Sequence, residues 1–146
     1  MFKRVENNIN LAQVENEISN YWDEIDAFQT SLNNRKNDKI FRFYDGPPFP
    51  TGSPHYGNLL AGVIKDIVPR YWTMRGYYVE RRFGWDVHGL PIEMEVQKNL
   101  NLEDPQQIDE YGIGKFNEAC RTQVQTNTEN WEKITRKIGR WVDFEN

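Results

Sequence analysis

Two short loops hold the two histidines of the chain, and both carry further residues suited to binding a charged ligand. Residues 46–58 read GPPFPTGSPHYGN and contain His55, while residues 84–89 read GWDVHG and contain Asp86 and His88. An imidazole donates hydrogen bonds to phosphate oxygens, and a carboxylate accepts them from an ammonium group. These residue types therefore predict a site for a ligand that carries phosphate or ammonium groups.

The first loop is stiff and leads into a predicted helix. Its prolines fix φ and remove backbone donors, so little entropy remains to be lost when a ligand docks; they are Pro47, Pro48, Pro50 and Pro54. Gly57 lacks a Cβ, which lets a ligand approach the main chain. A helix beginning at Tyr56 would offer free N–H groups to phosphate, with His55 and Asn58 as further donors. The H-x-G-N pattern is short, and a proline-rich turn without a ligand explains it equally well.

The elements around the two loops predict an α/β arrangement. Residues 40–44 and 77–83 are rich in β-forming residues, and residues 56–74 between them have a helical pattern with a broad apolar face. We expect parallel strands, with the helix buried against their sheet and kinked or restarted near Val68 because of Pro69. Both loops then lie at the carboxyl ends of their strands, where open α/β sheets bind ligands.

The rest of the chain is predicted to be helical. An amphipathic stripe capped by Asn10 predicts one helix over residues 11–32, and Asp104-Pro105 predicts the start of a helix that Gly112 ends. Two further helices are expected over residues 91–102 and 115–138, the second with a centre weakened by the polar residues 126–128.

The second loop also allows readings without a ligand. Asp86 could cap the helix that starts near Leu90 or pair with Arg81 or Arg82, and His88 could be an ordinary hydrogen-bonded loop histidine. A metal site formed by the two histidines and Asp86 is disfavoured, because no further ligand with helical or CxxC spacing supports it.

Cys120 lies on an apolar helical face and is expected to pack in the core. We do not expect it to act as a nucleophile, because the predicted topology places neither histidine nearby.

Length and composition predict one cytoplasmic domain, or a piece of a larger one, without a membrane segment. The chain has 146 residues, a net charge of -4 and one cysteine, which fits a reducing compartment. No apolar run approaches the roughly 20 residues that cross a bilayer. The negative charge argues against wrapping nucleic acid through bulk electrostatics.

The loops and the helix between them resemble a known family. His55-Tyr56-Gly57-Asn58 is similar to the "HIGH" signature of class I aminoacyl-tRNA synthetases, and residues 65–93, KDIVPRYWTMRGYYVERRFGWDVHGLPIE, resemble the block that follows it in the isoleucyl branch. The ending GWDVHGLPIE separates that branch from the valyl and leucyl ones. The resemblance covers essentially the whole chain.

The resemblance implies a role for each loop. His55, Gly57, Asn58 and Pro48 would take the ATP side, with His55 stabilising the transition state at the α-phosphate and Asn58 as its catalytic partner. Gly57 would lie against the adenine ring. On the amino-acid side, Asp86 would bind the α-ammonium of isoleucine; the other residues expected there are Gly46, Pro47, Pro48 and His88. The usual fourth signature residue is histidine, so Asn58 lacks any positive charge.

The resemblance also implies an architecture and partners. Residues 39–146 would form the first half of a Rossmann-type catalytic domain, truncated before the editing insertion, with residues 1–38 as an N-terminal helical extension. The enzyme would use isoleucine, ATP with Mg²⁺ as substrate, and tRNA(Ile), and would be a monomer at full length. The KMSKS loop, the editing domain and the anticodon-binding domain are missing, so we expect weak or no adenylation by this chain alone.

Two other functions stay open on the residues themselves. The chain could be a free-standing nucleotide-binding module or regulatory paralogue without catalysis. It could also be a small cofactor adenylyltransferase built on an H-x-G-H-type turn, although the long N-terminal helix and the GWDVHGLPIE loop speak against that.

Overall fold

The computed structural model describes residues 8–145, in which helices are joined by extended segments. The expectations for residues 1–7 and 146 lie outside this described part. Its helices, in chain order, are α1 (Leu11–Glu24), α2 (Ala27–Asn33), α3 (Tyr56–Met74), α4 (Leu90–Leu100), α5 (Pro105–Tyr111) and α6 (Ile113–Lys137). None of these is long and apolar enough to cross a membrane.

The single helix predicted over residues 11–32 is in fact two helices. The Asn10 cap is confirmed, since its Oδ1 accepts from the Gln13 N–H at 3.3 Å. The chain then breaks at Asp26, whose φ of 45° is left-handed and cannot continue a helix. The apolar stripe runs across this break, so periodicity alone could not locate it.

The predicted strands are extended segments without a regular ladder. Tyr78 donates to the carbonyl of Lys39 and accepts from Phe41, both at 2.9 Å, which makes an isolated parallel bridge between Ile40 and Tyr78. A second isolated parallel bridge joins Arg82 to Asp143. Beyond the Ile40–Tyr78 bridge, a cleft of about 480 Å³ lies between residues 40–45 and residues 78–84. The parallel direction was predicted correctly, but no regular strand forms within residues 8–145, which are mainly helical, so the expected α/β sheet is not confirmed there.

Helix α3 is continuous through Pro69, so it does not restart near Val68. The expectation that its apolar face is buried on a sheet was also wrong. More than 40% of the surface of each of these side chains is exposed: Leu60, Val63, Ile64, Ile67, Tyr71 and Met74. The buried side of α3 carries Gly62, Pro69 and Thr73 instead.

Arg81 lies under this buried side of α3. Its Nη2 donates to Thr73 Oγ1 at 2.6 Å and to the Pro69 carbonyl at 3.2 Å. Its Nε and Nη1 have no hydrogen-bond partner in the described part of the chain. Because burial removes water from the guanidinium, the pKa of Arg81 falls to about 10.

One cluster of the apolar core lies between α4 and α6. Ile92, Val96 and Phe116 are its buried members, and Cys120 packs against them as predicted. Helix α6 continues without interruption through the polar residues 126–128, which we had expected to weaken it.

A second set of contacts holds the end of the described chain against α1 and α3. The ring of Trp141 packs edge-on against Trp22 at 5.3 Å, and the Arg70 guanidinium lies 4.0 Å from the Trp141 ring centroid. These contacts fix α3 relative to α1, and α3 carries the signature residues at its N-terminus.

Candidate active site

His55 and Asn58 form a reciprocal cap at the N-terminus of α3. The backbone N–H of His55 donates to Asn58 Oδ1 at 3.0 Å, and His55 Nδ1 accepts from the backbone N–H of Asn58 at 3.4 Å. An Nδ1 that accepts carries no proton, so the neutral imidazole holds its proton on Nε2. His55 therefore presents Nε2–H to a ligand, and Asn58 keeps its Nδ2 as a second donor.

The space beside Gly57 is taken by the imidazole of His55. A Cβ added at Gly57 would lie 3.0 Å from His55 Cε1 and 3.1 Å from Nδ1, which is tight enough that the imidazole would have to shift. The glycine therefore makes room for the histidine ring. The sequence indicated that another group approaches Gly57 closely, but not that this group is the ring of His55, two residues earlier.

The two predicted loops meet. The backbone N–H of Asp86 donates to the Pro48 carbonyl at 3.0 Å. Nearby, a Cβ added at Gly84 would lie 3.4 Å from Pro47 Cβ, which indicates that the two backbones are closely packed. The structure thus joins the start of the first loop directly to the loop that carries Asp86.

A cavity of about 180 Å³ lies between the first loop, α3 and the C-terminal part of α6. Four predicted site residues line it: Gly46, Pro47, Pro48 and Asn58. Asp86 and His88 are not among its lining residues. Asp86 is instead exposed, although its backbone N–H bonds to the Pro48 carbonyl.

The carboxylate of Asp86 is free for a ligand. Helix α4 begins after Gly89 without a side-chain cap, Arg82 pairs with Glu80, and Arg81 bonds to α3. Both alternative roles proposed for Asp86 are therefore absent, and its side chain has no polar partner within residues 8–145.

His88 lines a different cavity from the one that Gly46, Pro47 and Pro48 line. It lines a cleft of about 530 Å³ together with Glu93 and Cys120. The expectation that no histidine lies near Cys120 was therefore wrong, because α6 packs against α4 and brings the cysteine to this loop. Burial, and then the negative charge of Glu93, raise the pKa of the Cys120 thiol, which disfavours the reactive thiolate.

Buried charges that the sequence reasoning missed fix the start of the first loop. The Asp45 carboxylate forms ion pairs with Arg140 and with Lys65, the latter at 2.6 Å, and the Asp45 side chain is only 8% exposed. Lys65 Nζ also donates to the Gly46 carbonyl at 2.8 Å. A carboxylate directly before Gly-Pro was the available signal, but its partners lie far along the chain.

Helix α6 holds the middle of the first loop. Asn127 Nδ2 donates to the Pro50 carbonyl at 2.7 Å, and Trp131 Nε1 donates to the Gly52 carbonyl at 2.8 Å. The sequence analysis noticed the polar centre of α6 but interpreted it as a weakness of the helix.

Comparison with known proteins identifies the family. Residues 17–146 match the family described as tRNA synthetases class I (I, L, M and V). The chain belongs to this family. Its resemblance to class I synthetases, drawn from residues 55–58 and 65–93, is confirmed.

Relatives within the family agree in name. The isoleucine–tRNA ligase of Chlamydia abortus is 55% identical over 134 residues, which are 92% of this chain and 13% of that protein. The isoleucine–tRNA ligase of Bdellovibrio bacteriovorus is 50% identical over 99% of the chain and 14% of its own length. That of Treponema denticola is 47% identical over the whole chain and 13% of its own length. The synthetase segment described here thus spans about one-seventh of these relatives.

Proposed function

We propose that this chain supplies the loops that bind isoleucine and ATP in an isoleucine–tRNA ligase. The reaction would activate isoleucine with ATP, accompanied by Mg²⁺, and then charge tRNA(Ile). The observation that carries the proposal is the hydrogen bond from Asp86 N–H to the Pro48 carbonyl, since it joins an unpaired carboxylate to the loop that leads into the His55 cap. The names of the three relatives support the same activity.

On the ATP side, His55 would donate Nε2–H to an oxygen of the α-phosphate as negative charge develops there. Such a preorganised donor stabilises a transition state without forming a covalent bond. Asn58 Nδ2 would add a neutral donor on the same helical turn, where the α3 dipole also favours phosphate. Gly57 and Pro48 would complete the ATP-facing wall.

On the amino-acid side, Asp86 would accept hydrogen bonds from the α-ammonium of isoleucine. Its exposed and unpaired carboxylate supports this role, because an ammonium group gains most from an acceptor that no other cation occupies. Gly46, Pro47 and Pro48 would form the neighbouring wall, and His88 would extend the same loop.

We further propose that the extended segments around the two parallel bridges belong to the first half of a Rossmann-type sheet. In this arrangement residues 39–146 form part of the catalytic domain, and residues 1–38 form an N-terminal helical extension. The parallel direction of both bridges supports this assignment.

The test is a chimera in which this chain replaces the matching 14% of the Bdellovibrio relative. We expect isoleucine-dependent exchange between ATP and pyrophosphate. His55→Asn should keep the helix cap, because asparagine caps well, yet reduce kcat by about 10²–10³-fold through loss of the Nε2 donor.

Asp86→Asn in the same chimera should raise the KM for isoleucine, and more than the KM for ATP, because only the ammonium contact is changed. Exchange driven by valine or leucine but not by isoleucine would refute the proposed specificity.

A further inference from the structure

The first loop cannot hold its own shape through backbone hydrogen bonds. Within residues 46–54 the backbone makes one such bond to itself, from Thr51 N–H to the Phe49 carbonyl at 2.9 Å. The prolines have no N–H to offer, so the loop presents mainly carbonyls. Donors must therefore come from other elements, and the ones that reach the middle of the loop are on α6.

Asn127 is the most constrained of these donors. Its Nδ2 donates to the Pro50 carbonyl at 2.7 Å and to Glu95 Oε2 at 3.1 Å, and its Oδ1 accepts from Gln123 Nε2 at 3.1 Å. Both N–H bonds and the oxygen are thus used, and the residue is only 7% exposed. A rotated amide would place its oxygen against two other oxygens, so the orientation of Asn127 is fixed.

The partners of Asn127 belong to both walls of the site. Pro50 lies in the first loop, four residues before Pro54 and the His55 cap. Glu95 lies on α4, the helix that directly follows the loop carrying Asp86. One buried amide therefore bonds to the first loop and to the helix that anchors the second.

We propose that Asn127 is a positioning residue that sets the spacing between the first loop, which leads into the His55 cap, and the loop that carries Asp86, an inference that rests on the proposed function. It touches no substrate. It acts through Pro50 on the His55 side and through Glu95 on the Asp86 side.

The test begins with Asn127→Asp, which keeps the shape but replaces the donor by a carboxylate. That carboxylate faces the Pro50 carbonyl and the Glu95 carboxylate, so the loop should leave α6. The Trp131 indole N–H reports this directly, because it donates to the Gly52 carbonyl. We expect hydrogen exchange of this indole N–H to accelerate at least 10-fold in the chain. Its NMR signal is assigned by comparison with Trp131→Phe. In the chimera, kcat/KM for ATP should fall at least 10-fold.

Asn130→Asp is the matched control. Asn130 makes the same kind of contact from the same helix, since its Nδ2 donates to Ser53 Oγ at 3.1 Å. The serine hydroxyl can rotate and donate to a carboxylate instead, so this variant should leave both measurements within about twofold of the wild type. An effect of Asn130→Asp as large as that of Asn127→Asp overturns the proposal.

The double variant Asn127→Asp with Glu95→Gln separates positioning from stability. The amide introduced by Glu95→Gln can donate to the carboxylate introduced by Asn127→Asp, which removes the charge repulsion, but the Pro50 carbonyl still lacks a donor. We expect the Tm to return to within a few degrees of the wild type, while Trp131 exchange stays fast and kcat/KM stays low. Recovery of all three measurements, or unchanged Trp131 exchange in Asn127→Asp, overturns the proposal. A wild-type chimera without isoleucine-dependent exchange overturns the proposed function, and the Trp131 measurement still decides the role of Asn127.

Discussion

Gly57→Ala should separate the stability of α3 from the position of its histidine. The added Cβ would lie 3.0 Å from His55 Cε1, whereas carbon atoms pack best at about 3.5–4.0 Å, so the ring must shift by a few tenths of an ångström. The bond from the Asn58 N–H to His55 Nδ1 is already long at 3.4 Å and would be lost.

Two effects on stability then oppose each other. Losing the side-chain cap costs about 1 kcal/mol, and replacing glycine by alanine inside a helix gains about 0.5–1 kcal/mol. We expect the free energy of unfolding of Gly57→Ala to stay within about 0.5 kcal/mol of the wild type. The imidazole signals of His55 should nevertheless shift in NMR spectra, where they need to be distinguished only from those of His88.

Gly114→Ala provides the matched control. Gly114 is also the second residue of its helix, and a Cβ there meets no atom within 4 Å. This variant should gain about 0.5–1 kcal/mol in urea unfolding and leave both histidines unchanged. If Gly57→Ala gains as much as Gly114→Ala and the His55 signals stay in place, the ring does not lie beside Gly57 and our account of the glycine is wrong.

Three further outcomes are expected. Asn58→Asp keeps an acceptor for the His55 N–H, so stability should hold, but its negative charge should weaken ATP binding by the chimera at least 10-fold in calorimetry; unchanged affinity would remove Asn58 from the phosphate site. Burial lowers the pKa of Arg81 to about 10, so its charge costs on the order of 3 kcal/mol at pH 7. Arg81→Met should therefore gain about 1 kcal/mol in urea unfolding after the lost contacts are counted, and this gain should shrink as the pH rises through 10; a loss above 1 kcal/mol at pH 7 contradicts it. Because its pKa is raised, Cys120 should react with iodoacetamide at pH 8 at least severalfold more slowly than free cysteine, and equal rates measured by mass spectrometry would contradict this.

Local signals predicted most of the helices and several of their caps. Asn10, Asp104-Pro105 and Gly112 mark helix boundaries because capping involves residues three or four positions apart, which a sequence displays directly. The meeting of the two loops was also predictable, since parallel segments bring their carboxyl ends together. The hydrogen bond between Asp86 and Pro48 follows from that topology.

Contacts between distant residues were not predictable in the same way. Asn127 and Pro50 are 77 positions apart, and Arg140 and Asp45 are 95 apart. Nothing in a single sequence pairs such residues. The prediction of strands failed for a related reason. The β-forming residues at 40–44 and 77–83 favour an extended backbone, but a ladder needs successive pairings. The described segments pair only at isolated points.

The site is therefore held by side chains that reach into a loop with few donors of its own. Lys65 bonds to the Gly46 carbonyl, Asn127 to that of Pro50, and Trp131 to that of Gly52. Prolines remove the N–H groups that would let this loop join a sheet, and so leave its carbonyls for donors on α3 and α6. Because the cap of His55 is local and these anchors come from helices, the geometry of the first loop does not depend on a regular β-ladder. That explains how residues 46–58 keep a defined conformation while the neighbouring extended segments pair only at isolated bridges.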